Sequence, residues 1–182
     1  MKEIILSGFG GQGVLFAGKL LCCAGIIEGK HVSWLPSYGP EMRGGTCYCC
    51  VIISDDTIGT PVVHNPDILI AFNEPSYTRF EPKIKPGGLL IADSSMLISG
   101  VRSSRSDVTG HYPAAAQLAN EHDILGLGNL IIIGKLLAET GIFSTETIEK
   151  AMHMAVPNAE GNEKALLRLE NNMKAIALGQ TL

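Results

Sequence analysis

Residues Lys2 to Ser7 read KEIILS, and Gly8 to Gly13 read GFGGQG. From Val14 the apolar residues recur with helical spacing. A short apolar strand that turns sharply on glycines into a helix leaves few folds open, because the helix must pack back on the sheet that the strand belongs to. The turn fits G-x-G-x-x-G through Gly8, Gly10 and Gly13, with Gly11 and Gln12 between the last two. Glycine lets the backbone turn tightly and lets a ligand or another chain approach closely. The first N–H groups of a helix have no partner within it, so such an end attracts anions such as phosphate. The plainer reading is that these glycines only turn the chain and seat the helix on the strand.

A dinucleotide site of the NAD type also needs an acidic residue at the end of the second strand, to hold the ribose. Here the second strand is expected over His31 to Leu35, which runs into Pro36 without an Asp or Glu, and Glu28 lies before it. The glycine pattern therefore supports the fold more than it supports NAD.

The rest of the chain continues the α/β alternation. Val14 to Ile27 reads as a helix stopped by Gly29, and with His31 to Leu35 it makes a parallel strand–helix–strand unit. Pro36 to Gly45, PSYGPEMRGG, is too rich in Gly and Pro to be regular. Thr46 to Ser54, TCYCCVIIS, is strongly strand-forming, and Thr57 to Val63 is a candidate short edge segment interrupted by Pro61. Asp67 to Phe72 and Leu89 to Ala92 are short unbroken apolar runs, as in strands buried on both faces. Pro75 to Phe80 begins a helix and Lys85 to Gly88 is a turn. Val101 to Val108 is polar and undetermined, and a short strand ends near His111 and Tyr112. Helices follow from Ala114, over Leu127 to Glu139, over Thr145 to Ala155 with Ser144 as N-cap, and over Glu163 to Leu178. The last is amphipathic through Ala165, Leu166, Leu169, Met173, Ile176 and Ala177. The expected architecture is one Rossmann-like, doubly wound, mostly parallel α/β sheet flanked by helices, with a helical C-terminus and one domain over residues 1–182.

Several function classes lose ground on composition. The formal net charge is -4 and no run of Lys or Arg occurs, so a nucleic-acid role has no electrostatic footprint. The apolar stretch Ile124 to Ala138 is broken by glycines and Lys135 and is too short to span a bilayer. No signal peptide is legible at the start, so a cytoplasmic protein is expected. The five cysteines, Cys22, Cys23, Cys47, Cys49 and Cys50, form no C-x-x-C pair, and small buried hydrophobes are the expected role; no metal site is expected. His31, His64, His111, His122 and His153 are scattered, and no base is identifiable beside Ser7, Ser37, Ser94 or Ser95. The chain reads as a binding or accessory domain without a catalytic set of its own.

In open α/β sheets ligands bind beyond the carboxyl ends of the strands. The candidates there are Gly8 to Gly13, the stretch Ser37, Tyr38, Gly39, Pro40, Glu41, Arg43, Gly44 and Gly45, then Asn73 with Glu74, and Asp93 with Ser94 and Ser95. Arg43 is the only cation of its loop, and a guanidinium between flexible backbone suits phosphate or carboxylate. An internal pair with Glu41 is the equal alternative.

GFGGQG at Gly8–Gly13 and PSYGPEMRGGT at Pro36–Thr46 together resemble the gamma subunit of 2-oxoacid:ferredoxin (acceptor) oxidoreductases. HNPDILIAFNEPS at His64–Ser76, KPGGLLIADSS at Lys85–Ser95 and GNLIIIGKLL at Gly128–Leu137 continue the resemblance along nearly the whole chain. The second motif carries most of it, since no generic fold requirement explains S-Y-G-P-E-x-R-G-G. The resemblance implies a non-catalytic subunit of a complex that oxidatively decarboxylates a 2-oxoacid to an acyl-CoA and passes electrons to ferredoxin or another acceptor. It implies thiamine diphosphate, Mg2+ and iron–sulfur clusters held by other subunits, with alpha and beta partners and a ferredoxin-like delta subunit as a further one. It places coenzyme A at a cleft to which Gly8–Gly13 and Ser37–Gly45 contribute. The form of the second motif leans towards the 2-oxoglutarate type. Cys47-Tyr48-Cys49-Cys50 departs from relatives, which are more polar around one Cys. A standalone NAD(P)-dependent dehydrogenase and a purely structural scaffold are the alternative readings.

Overall fold

In the computed structural model, which describes residues 1–37, 46–98, 100–156 and 163–182, the apolar start of the chain forms β1 (Lys2–Phe9), a central strand of a six-stranded sheet. Ile4 and Leu6 point into one core and Ile5 into the other, which is why its apolar residues run on without alternation. The other strands are β2 (His31–Ser37), β3 (Thr46–Ser54), β4 (Ile68–Ala71), β5 (Leu89–Ala92) and β6 (Thr109–His111), in the order β2-β3-β1-β4-β5-β6. Pairs β1–β4, β4–β5 and β5–β6 are parallel, while β1–β3 and β3–β2 are antiparallel. The sheet is thus mostly parallel, as expected.

The first two strands run parallel, as expected of a strand–helix–strand unit, but they are not adjacent. β2 runs in the same direction as β1, but β3 lies between them. β3 is the longest strand and its apolar residues pair along the whole of β1, from Lys2↔Ile53 to Phe9↔Thr46. β2 is more polar and continues through Pro36 to Ser37; a residue without an N–H is tolerated at a sheet edge, and that is where β2 lies. Thr57 to Val63 forms no strand; Val63 instead tucks its side chain into the core. Val101 to Val108 is irregular.

Among the described residues six α-helices cover the sheet: α1 (Val14–Ile27), α2 (Glu74–Phe80), α3 (Ala115–Glu121), α4 (Gly128–Thr140), α5 (Thr145–Ala155) and α6 (Glu163–Gln180). Their distribution is lopsided. Residues of α1, α3, α4, α5 and α6 share one core with Ile4, Leu6, Ile70 and Ile91. On the opposite face α2 supplies Tyr77 and Phe80, and Ile84 and Val63 complete a smaller core around Ile5, Leu69 and Leu90. α1 lies close to β3 because Gly18 leaves room for the Cys49 thiol and the Trp34 indole.

α6 docks differently from its apolar pattern. The buried residues are Asn172, Ala175, Ile176 and Gly179, while Leu166 and Leu167 are 49% and 56% exposed. The reason is backbone proximity. A Cβ on Gly179 would fall on the Ile131 carbonyl oxygen, and one on Gly134 would fall on that of Ile176. Two glycines bring α4 and α6 together at one level, so the fully buried residues of α6 all lie in its second half, with Leu169 packed at the margin of the core.

Candidate functional site

β1 carries the chain through Gly8, so the first motif glycine is a strand residue rather than part of the turn. A side chain on Gly8 would meet Gln12 Oε1 at 2.8 Å, Val14 at 2.9 Å and Phe72 at 3.0 Å. The turn itself rests on Gly11, with φ +99°, and Gly13, with φ +74°, values that side-chain-bearing residues rarely adopt. Gly10 is exposed. Gly13 begins α1 and supplies no side-chain cap, which leaves the first turn of α1 without a side-chain acceptor for its N–H groups.

After β1 the chain leaves towards β2, and after β4 it leaves towards β5. The carboxyl ends of β1 and β4 therefore flank the point where the sheet winding changes direction, the usual ligand crevice of such sheets. Gln12 lies across that point. Its Oε1 accepts the Phe9 N–H at 2.7 Å and Asn73 Nδ2 at 2.9 Å, and its Nε2 donates to the Phe72 carbonyl at 3.0 Å. Asn73 is buried, and its Oδ1 accepts the Ser76 N–H at 3.0 Å to cap α2. One side chain thus ties the glycine turn to the end of β4, and Asn73 ties both to the start of α2.

Asn129 closes the turn from the α4 side. Its Nδ2 donates to the Gly13 carbonyl at 3.3 Å, and a Cβ on Gly13 would collide with that amide. Asn129 Oδ1 is buried without a hydrogen-bond partner among the described residues. It borders a cavity of about 200 Å³ lined by Gly11, Gln12, Phe72, Asp93 and Asn120. Asp93 accepts the Ser95 and Ala116 N–H groups at 3.1 and 3.0 Å, joining the end of β5 to the start of α3. Burial pushes the Asp93 carboxyl above the ordinary range, and these donors offset part of that rise. No local sequence signal marks Asn129 as a partner of the turn; the packing of α4 on the glycine turn brings it there.

Of the second candidate stretch, Ser37 is the last residue of β2 and pairs in register with Tyr48 of β3. Tyr38, Gly39, Pro40, Glu41, Arg43, Gly44 and Gly45 lie outside the described residues.

The cysteines sit in the core. Cys49 Sγ lies 3.8 Å from the Val14 carbonyl and Cys22 Sγ 3.7 Å from that of Ser33. Burial pushes both thiols up to about 12. Among the described residues no group of three or more His, Cys, Asp or Glu side chains is placed to hold a metal ion, and no helix is long and apolar enough to cross a membrane.

A family model described as pyruvate ferredoxin/flavodoxin oxidoreductase matches residues 3–182. The chain belongs to that family. This pyruvate ferredoxin/flavodoxin oxidoreductase family member is 39% identical over 168 residues to the 2-oxoglutarate synthase subunit KorC of Methanocaldococcus jannaschii, covering 91% of this chain and 89% of that one. It is also 39% identical over 136 residues to the ketoisovalerate oxidoreductase subunit VorA of Methanothermobacter marburgensis, covering 75% of this chain but only 28% of VorA. The keto/oxoacid ferredoxin oxidoreductase gamma subunit of Geobacter sulfurreducens superposes with a TM-score of 0.80 at 30% identity, covering 100% of this chain and 97% of that one. The 2-oxoglutarate:ferredoxin oxidoreductase of Magnetococcus marinus, solved with 2-oxoglutarate, coenzyme A and succinyl-CoA, shares the fold, with a TM-score of 0.83 at 23% identity. There the match covers 100% of this chain and 32% of the larger one.

Proposed function

We propose that this chain is the non-catalytic gamma subunit, a single α/β domain, of a cytoplasmic 2-oxoacid:ferredoxin (acceptor) oxidoreductase, with 2-oxoglutarate as the favoured oxoacid. The observation that carries this reading is the correspondence with KorC over most of both chains, 91% of this chain against 89% of that one. The Geobacter gamma subunit corresponds equally fully in structure. In such a complex thiamine diphosphate with Mg2+ supplies the carbanion chemistry of decarboxylation and iron–sulfur clusters take the electrons. Alpha and beta subunits, with a ferredoxin-like delta subunit, hold these groups. The cysteine spacing of this chain, which forms no C-x-x-C pair, agrees with that division of labour.

What this chain's own residues do is shape a coenzyme A cleft. Gly11 and Gly13 hold backbone amides in an open turn at the uncapped start of α1, a geometry that suits a phosphate oxygen. Gln12 and Asn73 keep that turn in place. Arg43 reaches a coenzyme A phosphate or a carboxylate of the partner subunit. The dehydrogenase alternative is weakened by β2, which runs to Ser37 without an Asp or Glu at its end to hold a ribose.

The test is to recover tagged full-length chain from native lysate and assay the material for iron, thiamine diphosphate and coenzyme A-dependent oxidation of 2-oxoglutarate, pyruvate and branched-chain oxoacids. Larger partner subunits and a coenzyme A-dependent activity are expected. A bare monomer or homodimer that quenches NADH fluorescence on titration would favour the dehydrogenase instead. Within the complex, Arg43→Ala is expected to raise the coenzyme A requirement or weaken assembly; no change in either would remove Arg43 from the site.

A further inference from the structure

β2 ends the sheet on one side, and the hydrogen bonds across the sheet fix which of its backbone groups face outward. The Asp67 and Phe72 N–H groups donate to the Glu3 and Ser7 carbonyls, at 2.8 Å each. Those residues of β1 therefore face β4, and the alternate ones, Ile4 and Leu6, face β3. Their partners Val51 and Cys49 face back to β1, so Ile52 and Cys50 face β2, where they meet Ser33 and Leu35. Val32, Trp34 and Pro36 are left with their backbone groups pointing out of the sheet. Pro36 suits that set, since it has no N–H to leave exposed. Among the described residues no backbone group bonds to the N–H or C=O of Val32 or Trp34.

Natural sheet edges are blunted by charged side chains, prolines or bulges. From Val32 to Leu35 the strand carries no charge and no proline, and its register with β3 runs without a bulge. Val32 and Trp34 turn their side chains to the α1 face. Val32 packs against the larger core there, and Trp34 lies by Gly18 yet is 36% exposed. Ile26 and Ile27, in the last turn of α1 before β2, are exposed as well.

We propose that β2 pairs antiparallel with β2 of a second copy of this chain, about a two-fold axis at Ser33, and joins two six-stranded sheets into one. In that register Val32 faces Trp34 of the second copy, and each donates its N–H to the other's carbonyl. Both outward N–H groups of each copy are then used, and Pro36 falls outside the bonded pairs. The neighbouring registers do worse. An axis at Trp34 sets Val32 against Pro36, which has no N–H to return. An axis at Val32 sets Trp34 against Lys30, whose N–H already donates to the Gly25 carbonyl at 2.9 Å. The side chains agree with the axis at Ser33: Val32 lies beside Trp34 on one face and His31 beside Leu35 on the other, with no like charges opposed. The edge is therefore complementary to itself, as a two-fold interface requires, which favours a second copy over an unrelated strand. A strand-edge contact is small for a specific interface, so the dimer is expected to form at micromolar concentrations. The pairing can fail while the oxidoreductase reading stands, and the reverse.

The experiment is sedimentation of the full-length chain from about 1 to 100 µM, with Trp34 emission followed in parallel. A reversible dimer is expected, and the emission of this single tryptophan is expected to shift to the blue as the dimer forms. Ser33→Cys is expected to give a disulfide-linked dimer under mild oxidation, because a non-hydrogen-bonded antiparallel pair holds its Cα atoms about 4.5 Å apart. The buried native cysteines stay silent in that assay. Ser33→Glu and Ser33→Lys each place like charges at the axis and are expected to weaken the dimer by at least about tenfold, while their equimolar mixture recovers it. Urea unfolding of each variant shows that it is folded, and Ser33→Cys, which exchanges one atom, keeps the test open if a charged variant is not. A monomer at every concentration would overturn the proposal and would mean that the chain's own residues cover the edge. A dimer that Ser33→Glu leaves intact, a mixture that does not recover it, or a Ser33→Cys chain that does not cross-link would overturn it too.

Discussion

Gln12 is the residue whose removal most directly tests how the glycine turn is held. Gln12→Ala deletes three hydrogen bonds, to the Phe9 N–H, to Asn73 Nδ2 and to the Phe72 carbonyl. Net values of about 0.5–1.5 kcal/mol each would sum to roughly 3 kcal/mol at a dry site. Gln12 is only half-buried, so water replaces part of the loss and about 2 kcal/mol is expected. For a chain of 182 residues this lowers Tm by about 4–8 °C. Trp34 is the only tryptophan and lies beside Gly18 and the Cys49 thiol, so its fluorescence in a urea titration reports unfolding without a label. Asn73→Ala removes the α2 cap as well as the bond to Gln12, and the double variant is expected to cost about 1 kcal/mol less than the sum of the two single ones. A Gln12→Ala effect within about 0.5 kcal/mol of zero, or strict additivity with Asn73→Ala, would refute this account of the turn.

Other outcomes follow from the packing. Gly179→Ala is expected to cost about 3 kcal/mol in urea unfolding, because the new methyl meets the Ile131 backbone and the helices must separate; a neutral result would mean that α6 docks loosely on α4. The buried thiols predict an alkaline weakness. Cys22 and Cys49 stay protonated up to about 12 in the folded chain, against an ordinary value of 9.0. Unfolded thiols lose protons first, so stability falls as pH rises from 9.0 towards 12, by about 1.4 kcal/mol per thiol at about pH 10. Cys22→Ala with Cys49→Ala is expected to flatten that slope, whatever it does to stability at neutral pH. At about pH 8 a thiol reagent is expected to leave both unmodified until urea is added; rapid labelling of the folded chain would show that they are accessible.

Much of the fold was legible in the sequence because the apolar runs of β1, β4 and β5 and the helical spacing of α1, α4 and α5 are local patterns. The candidate site was legible only in outline. The glycines and Gln12 stood out through their spacing, and Asn73 through its place after an apolar run. Asn129 did not, because it lies 116 residues from Gly13 and meets it only when α4 packs on the turn.

The sequence by itself determined which segments are strands and helices, where the chain turns, and that the glycine turn sits at a strand's carboxyl end, since these depend on backbone freedom and on the period of apolar residues. The tertiary structure alone decided that β3 inserts between β1 and β2. Strand neighbours are chosen by the apolar area that pairing buries between distant segments, and β3 covers the whole of β1 while the polar, proline-bearing β2 is left at the edge. It likewise decided that α6 docks through Gly179 rather than Leu166, because the closest approach of two backbones depends on which small residues meet at the same level.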